Sequence, residues 1–321
     1  MRDTEAESRR LLGNKAWNLL RRRALGYSVP PFFILDRNFF FRFLGDQQER
    51  YAELLRNPSA ETGAEIRALL EHCSFEEEDV RKLWLELQVA MPAAERFAVR
   101  SSFILEGEER HSFDGLFQSF LEVPRGDELL RAVKECYLSC FSERAARYMQ
   151  QYGLFDESMA VAVILQDMAG NGRNFTVYTT NPQSGNPEEV LAEYCDIAGK
   201  QQRTVLDLEG RVLRTTETAE PDEDREVLFV RLAALALELE ASNVPRTACR
   251  FEFALGTDGE LKLLQESEMP SYRHLDKREA HFFLDAAGRN GTADGVVTPL
   301  GFELRRGLHQ KAGAETLLFE G

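Results

Sequence analysis

The stretch around residue 255 constrains this chain most. Cys249 to Leu255 and Glu260 to Leu264 alternate apolar and polar residues on either side of Gly256-Thr257-Asp258-Gly259. Period-two alternation flanking a Gly/Asp turn specifies an antiparallel hairpin. Two other stretches carry the same kind of signal. Ala160 to Leu165 and Asn174 to Thr179 flank Asn171-Gly172, and Leu206-Asp-Leu-Glu-Gly210 turns into Arg211-Val-Leu-Arg214. Helical spacing is equally marked elsewhere. From Gly126 to Gln150, Leu129, Val133, Cys136, Tyr137, Cys140 and Tyr148 fall on one face of a single long helix. Residues 46–88 read as helical, broken near Asn57-Pro58 and Cys73-Ser74, with Ser74 and Glu77 spaced for a capping box. Shorter helices are expected over Asn14–Ala24, Asp36–Leu44 and Arg225–Ser242. Strands are expected over Phe32–Leu35, Phe97–Ser102, Phe120–Val123 and Val190–Tyr194. Hairpins mixed with helices predict an α+β fold rather than an ordered βαβ series.

Composition narrows the function classes. A length of 321 residues suits one large domain or two packed ones, and 22 Phe can fill a substantial core. The formal net charge of −15 repels phosphate backbones, so no nucleic-acid partner is expected. The densest basic run, Arg21-Arg22-Arg23 with Arg9 and Arg10, reads as the solvated face of the first helix. Five Cys follow neither a zinc nor a disulfide pattern, and Cys136 and Cys140 read as core thiols in a reducing compartment. No apolar run approaches 18 residues, and the charged N-terminus lacks the apolar core of a signal peptide. The expectation is a cytoplasmic protein with no membrane partner. Neither GxGxxG nor GxxxxGK[ST] occurs.

A few polar residues stand out. Arg100-Ser101-Ser102 ends an apolar strand, where an Arg can grip a polyphosphate bidentately and the serines and Gly107 can offer N–H groups. An ordinary strand exit with a surface ion pair reads the same way. Glu252 lies between Phe251 and Phe253 and so faces away from them, and Gln265 lies on the other arm of the hairpin. The two could hold Mg²⁺ on ATP phosphates or simply line a solvated sheet face. Lys15, in Gly13-Asn14-Lys15 at a helix start, suits a phosphate or a plain surface position. None of the five His has metal-ligand spacing. His111 lies in a polar loop and is a weak candidate for a phosphate-accepting nucleophile.

These residues lie in motifs that resemble a known family, the N-terminal ATP-binding domain of pyruvate phosphate dikinase and phosphoenolpyruvate synthase, shared by rifampin phosphotransferases. Gly13-Asn-Lys-Ala-Trp-Asn-Leu19 resembles GGKGANL, and Gly26-Tyr-Ser-Val-Pro-Pro-Phe-Phe-Ile34 resembles GIPVPPGFVI. Val99-Arg-Ser-Ser102 matches VRSS, and Ser112-Phe113 with Gly115 fall on an SFxG turn. Ser139-Cys-Phe-Ser-Glu-Arg-Ala145 is similar to SLFTERA, and Gln166 and Met168 to QxM. Tyr178 to Gly185 is similar to FTRNPxTG, Phe251-Glu-Phe253 to IEW, Leu264-Gln265 to a terminal LQ, and Gly295 to Leu300 to GPVTPL. The ordered set covers nearly the whole chain.

The resemblance implies an ATP-grasp fold of two lobes with ATP in the cleft between them. Residues 1–185 would form an N-terminal lobe with a phosphate-covering loop, and 186–270 a C-terminal grasp lobe with the metal-binding hairpin. Residues 271–321 would form a linker-like segment. It implies Lys15 and Arg100 as catalytic phosphate contacts, with Ser101 and Gly115 also at the nucleotide. Gln166 and Met168 would lie near adenine, and Glu252 and Gln265 would bind Mg²⁺. In the family the β-phosphoryl group of ATP is transferred, leaving AMP and releasing the γ-phosphate as inorganic phosphate.

Departures from the pattern bear on activity. Ser267 stands where LQxRP has Arg, beside acidic Glu266; Thr180 replaces the Arg of FTRNP; Lys200 replaces the Glu of GLGE. Two lost cations would weaken charge stabilisation by roughly 2–4 kcal/mol each unless compensated, with Lys200 and Arg173 as candidates. The family's phosphorylated-His motif does not occur, so the expected function is the ATP-binding subunit of a split phosphotransferase. It would pass a phosphoryl group from Mg·ATP to a His on a separate protein, and from there to a small-molecule acceptor. The alternatives are direct phosphorylation of a small molecule or protein, and a non-catalytic nucleotide-binding or structural subunit.

Overall fold

The computed structural model describes residues 2–104, 116–168, 173–196, 199–217, 223–243 and 246–269. The chain divides into two compact units, Met1–Gly170 and Asn171–Gly321. This division falls ahead of the expected boundary at 185. The strand before that point, Arg173–Tyr178, is hydrogen-bonded only into the second unit's sheet.

The first unit runs α1 (Arg2–Ala24), β1 (Phe32–Leu35), α2 (Arg37–Leu44), α3 (Gln48–Arg56), α4 (Thr62–His72), α5 (Glu77–Ala90), β2 (Arg96–Ile104), β3 (Ser119–Pro124), α6 (Asp127–Cys140), α7 (Glu143–Gln151) and β4 (Ala160–Asp167). Its four strands form an antiparallel sheet in the order β1-β4-β2-β3. The phenylalanines do what their number suggests. In α2, Phe39, Phe40, Phe43 and Leu44 all turn inward, and Asp36 starts the helix by accepting from the Phe39 N–H at 3.0 Å. Phe40 and Phe43 meet Tyr137 of α6 at ring-centroid distances of 5.0 and 5.1 Å. Burying each such ring contributes roughly 1.5–3 kcal/mol.

Four local expectations are corrected. The strands on either side of Asn171-Gly172 do not form a hairpin: Ala160–Asp167 pairs within the first unit's sheet and Arg173–Tyr178 within the second's, because each finds its partners in a different sheet. The long helix after Gly126 is two helices: Phe141 turns into the core, and Ser142 caps α7 by accepting from the Ala145 N–H at 3.4 Å. The Ser74–Glu77 capping box does not form, because α5 begins at Glu77 with Glu76 as its N-cap residue. The basic run is not a uniformly solvated face. Arg22 is fully buried with its guanidinium 5.9 Å from the Tyr27 ring, and Arg23 lies 4.3 Å from the Phe32 ring.

The second unit contains β5 (Arg173–Tyr178), β6 (Val190–Cys195), β7 (Gln201–Leu206), β8 (Val212–Thr215), α8 (Glu223–Ala241), β9 (Cys249–Leu255) and β10 (Leu261–Glu268). Its antiparallel sheet has the order β10-β9-β5-β6-β7-β8. One face is apolar: Phe175, Val177, Phe251 and Phe253 are buried on it, with Tyr194 against Phe229 of α8. Strand parity therefore sends Thr176, Tyr178, Arg250 and Glu252 to the other face. No helix among the described residues is long and apolar enough to cross a membrane.

Candidate functional site

In the first unit, α1 is broken at Gly13, whose φ of 73° and ψ of 165° lie in a region essentially reserved for glycine. The break lets the chain approach β2 closely. A Cβ on Gly13 would lie 2.5 Å from Ser102 Oγ and 2.7 Å from the Ser102 carbonyl oxygen. A fresh helix start follows, and the Ala16 N–H donates to Ser102 Oγ at 3.1 Å. Ser102 thus caps from another element the helix that carries Lys15. This role was readable only from tertiary contact.

The β2–β4 register pairs Ala98 with Gln166 and Arg100 with Ile164. Arg100 and Gln166 are consequently diagonal neighbours on one face, shared with Ser102, and both are buried. Ser101 points the other way. Its hydroxyl lies toward the thiols of Cys136 and Cys140 on α6. Burial pushes the Cys140 thiol up to about 12, while the hydroxyls of Ser101 and Ser139 and the Lys15 charge pull it down. Both cysteines are core thiols held protonated. The structure therefore brings Arg100 and Gln166 together but separates Ser101's side chain from them. Met168 follows β4, with its N–H donating to the Arg96 carbonyl at 3.1 Å. Gly115, Gly107 and His111 lie outside the described residues.

In the second unit, a β-bulge between Leu263 and Gln265 decides what the terminal hairpin presents. Leu263 pairs with Phe253, and after the bulge Gln265 pairs with Glu252 and Ser267 with Arg250. Strict alternation from Leu263 would have sent Gln265 to the apolar face; the extra residue resets the parity. Gln265 Nε2 then lies 3.4 Å from Ser267 Oγ. Glu266 goes to the opposite face, buried, where Asn243 Nδ2 donates to its Oε1 at 3.0 Å. The acidic neighbour that the sequence places beside Ser267 is therefore not on the Glu252 face.

Across the sheet, Gln265, Glu252, Thr176, Glu193 and Arg203 form one cross-strand row. Glu193 receives hydrogen bonds from Arg203 Nε at 2.7 Å and from the Tyr178 hydroxyl at 3.2 Å. Glu252 Oε1 receives one from the Arg250 guanidinium at 2.5 Å. A carboxylate directly opposite an amide oxygen is a hard-oxygen donor pair of the kind Mg²⁺ takes, since that ion keeps several waters and needs few protein ligands. No cluster of three or more acidic, His or Cys ligands occurs among the described residues. Arg173 sits on the other face, 5.9 Å from the Phe175 ring, and Lys200 is exposed at the β6–β7 turn. Arg173 therefore does not supply a cation to the Glu252 face; Arg250, not anticipated from the sequence, does.

The loop Thr180 to Gly185 is braced by Glu189. Its Oε2 accepts from Asn181 Nδ2 at 2.7 Å and Ser184 Oγ at 2.9 Å, and its Oε1 from Arg214 at 2.7 Å. Burial would raise this carboxyl, but the bonds from Arg214, Asn181 and Ser184 outweigh it and hold it below the usual value. A depressed folded-state pKa contributes stability above the unfolded value, and that stability is lost as the pH falls through the lower folded one. Glu189→Gln is accordingly expected to lower the melting temperature at pH 7 by a few degrees, through about 1–2 kcal/mol. The difference from wild type should shrink below about pH 4.5. Thermal melts across pH 3–7 check this, and parallel curves would exclude the linkage.

The family model described as pyruvate phosphate dikinase, AMP/ATP-binding domain, matches residues 9–195. The uncharacterized phosphotransferase YvkC of Bacillus subtilis is 26% identical over 185 residues, covering 58% of this chain and 21% of YvkC. A probable phosphoenolpyruvate synthase of Archaeoglobus fulgidus is 29% identical over 197 residues, 56% of this chain and 26% of that protein. The chain thus spans about a quarter of the length of these curated relatives. A solved D-alanine–D-alanine ligase from Coxiella burnetii aligns with 94% of this chain and 59% of its own, at a TM-score of 0.35 and 12% identity. The family match covers more than half of the chain and spans Lys15, Arg100, Gln166 and Met168. The chain belongs to the pyruvate phosphate dikinase AMP/ATP-binding domain family.

Proposed function

We propose that this chain binds ATP with Mg²⁺ and passes a phosphoryl group to a histidine on a partner protein. The observation that carries the reading is the Glu252–Gln265 pair, set opposite each other by the bulge in a member of an AMP/ATP-binding family. Lys15, at a helix start, and Arg100, with its forked guanidinium, neutralise the phosphates. Gln166 and Met168 lie toward the adenine. Ser101 holds the Arg100 strand from the core side. Held by Glu252 and Gln265, Mg²⁺ would offset charge on the phosphate oxygens during in-line transfer.

A second reading, nucleotide binding without transfer, is favoured by one observation. Thr180 and Ser267 stand buried where the family pattern has arginines, and neither carries charge. Calorimetry of the wild type with ATP, with and without Mg²⁺, tests both readings. Saturable binding that tightens with Mg²⁺ is expected, and no heat at millimolar ATP would overturn both. AMP release on adding a phosphoacceptor His domain separates transfer from binding alone.

A further inference from the structure

The polar face of the second sheet carries an internal ion pair at the proposed metal position. Arg250 and Glu252 are two residues apart on β9, so both project to this face, and their 2.5 Å contact leaves the side chains only 25% and 22% exposed. Arg250 is also directly opposite Ser267 on β10 and Tyr178 on β5. It therefore stands in the same cross-strand row as the neutral Ser267 and one row from the Glu252–Gln265 pair. The cation within the Glu252 row, Arg203, is committed to Glu193 at 2.7 Å, a carboxylate that Tyr178 also contacts.

Two charges act on Glu252 in turn. A carboxylate that already has a guanidinium at hydrogen-bond distance binds a divalent cation less tightly, because the cation must displace an existing charge partner. Once that carboxylate goes to a metal, the guanidinium beside it repels the ion unless an anion takes its place. Nucleotide phosphates are such an anion, and a planar fork of N–H donors recognises them bidentately.

We infer that Arg250 is an exchangeable counter-ion: it holds Glu252 in the nucleotide-free protein and moves onto the nucleotide phosphates when a metal–nucleotide complex takes that carboxylate. The inference rests on the proposed nucleotide reading and adds to it a cation supplied by β9 rather than β10. It also assigns an order to the site, in which metal alone binds poorly and metal with nucleotide binds well.

The test compares wild type and Arg250→Gln for three probes: Mn²⁺ alone by electron paramagnetic resonance, and Mn·ATP and adenosine by calorimetry. The variant is expected to bind Mn²⁺ alone about 10-fold more tightly, Mn·ATP about 10-fold more weakly, and adenosine unchanged. Arg250→Lys keeps the charge and should stay within about threefold of wild type for Mn·ATP, which covers the case in which the Gln variant does not fold. Unchanged Mn·ATP affinity in the Gln variant, or an equal loss with adenosine, would overturn the inference while leaving the nucleotide reading intact. Should the Gln variant not fold, a Lys variant that binds Mn·ATP no more tightly, and Mn²⁺ alone no more weakly, than a charge-neutral Arg250→Met would overturn it as well. A wild type that binds no Mn·ATP would overturn both.

Discussion

Glu252→Gln should abolish the Mg²⁺-dependent part of ATP binding, a loss on the order of 100-fold or more, while leaving metal-free binding nearly intact. The residue supplies the only formal negative charge of the Glu252–Gln265 pair, and a metal contact to a charged oxygen is worth several kcal/mol. The cost to the fold is of a different size. The Arg250–Glu252 pair is more than a fifth exposed on both sides, so solvent screens it and its loss costs about 1 kcal/mol at most. Calorimetry with and without Mg²⁺, beside a thermal melt, separates the two effects. Superimposable Mg·ATP isotherms for variant and wild type would remove Glu252 from the site.

Gly13→Ala should destabilise the first unit by roughly 3–5 kcal/mol, because two penalties coincide there. The backbone angles are nearly exclusive to glycine, and the added Cβ meets the Ser102 Oγ at 2.5 Å and backbone oxygens at 2.7 and 2.8 Å. Gly26 provides the control. Its φ of 86° is also positive, but a Cβ there meets nothing within 4 Å, so Gly26→Ala should cost only about 1–2 kcal/mol. Urea midpoints for the two variants check the contrast. Equal shifts would mean that the close approach of α1 to β2 contributes nothing. The Gly13 variant should also weaken ATP binding, since the helix start carrying Lys15 is seated on β2 through Ser102.

The parts of this fold that were legible are those written in local periodicity. Alternation and turn chemistry are short-range properties, so the hairpins from Leu206 and Cys249 appear where expected. The helix breaks after Arg56 and His72 follow from Asn57-Pro58 and Cys73. What escaped depends on long-range packing. Three consecutive arginines look solvated, yet Arg22 folds under Tyr27 because its stem and planar head suit an aromatic surface. The α6–α7 break was hidden because Phe141 continues the helical period while turning into the core; the Ser142-Glu143 pair was the available signal. At the site, the hairpin placed Glu252 and Gln265 on its two arms, but the face that Gln265 takes depends on the bulge and was not legible; the opposite orientations of Arg100 and Ser101 follow from strand parity alone and were available in the sequence. Arg250 could also have been found as the residue two before Glu252. Glu189 could not, because its partners Asn181, Ser184 and Arg214 gather only through the fold.

The bulge at Leu264 makes chain length, rather than chemistry, the fragile quantity in the last hairpin. Strand faces are assigned by odd and even count, and Leu264 is the residue that puts β10 out of step with β9. Loss of Leu264 itself would leave Gln265 opposite Glu252 on an unbroken ladder, whereas an insertion between Gln265 and Ser267 would exchange the faces of the residues that follow it. Side-chain replacements along β10 change one contact at a time, but an added residue acts on everything beyond it. The segment should tolerate conservative substitutions far better than an in-frame insertion after Gln265.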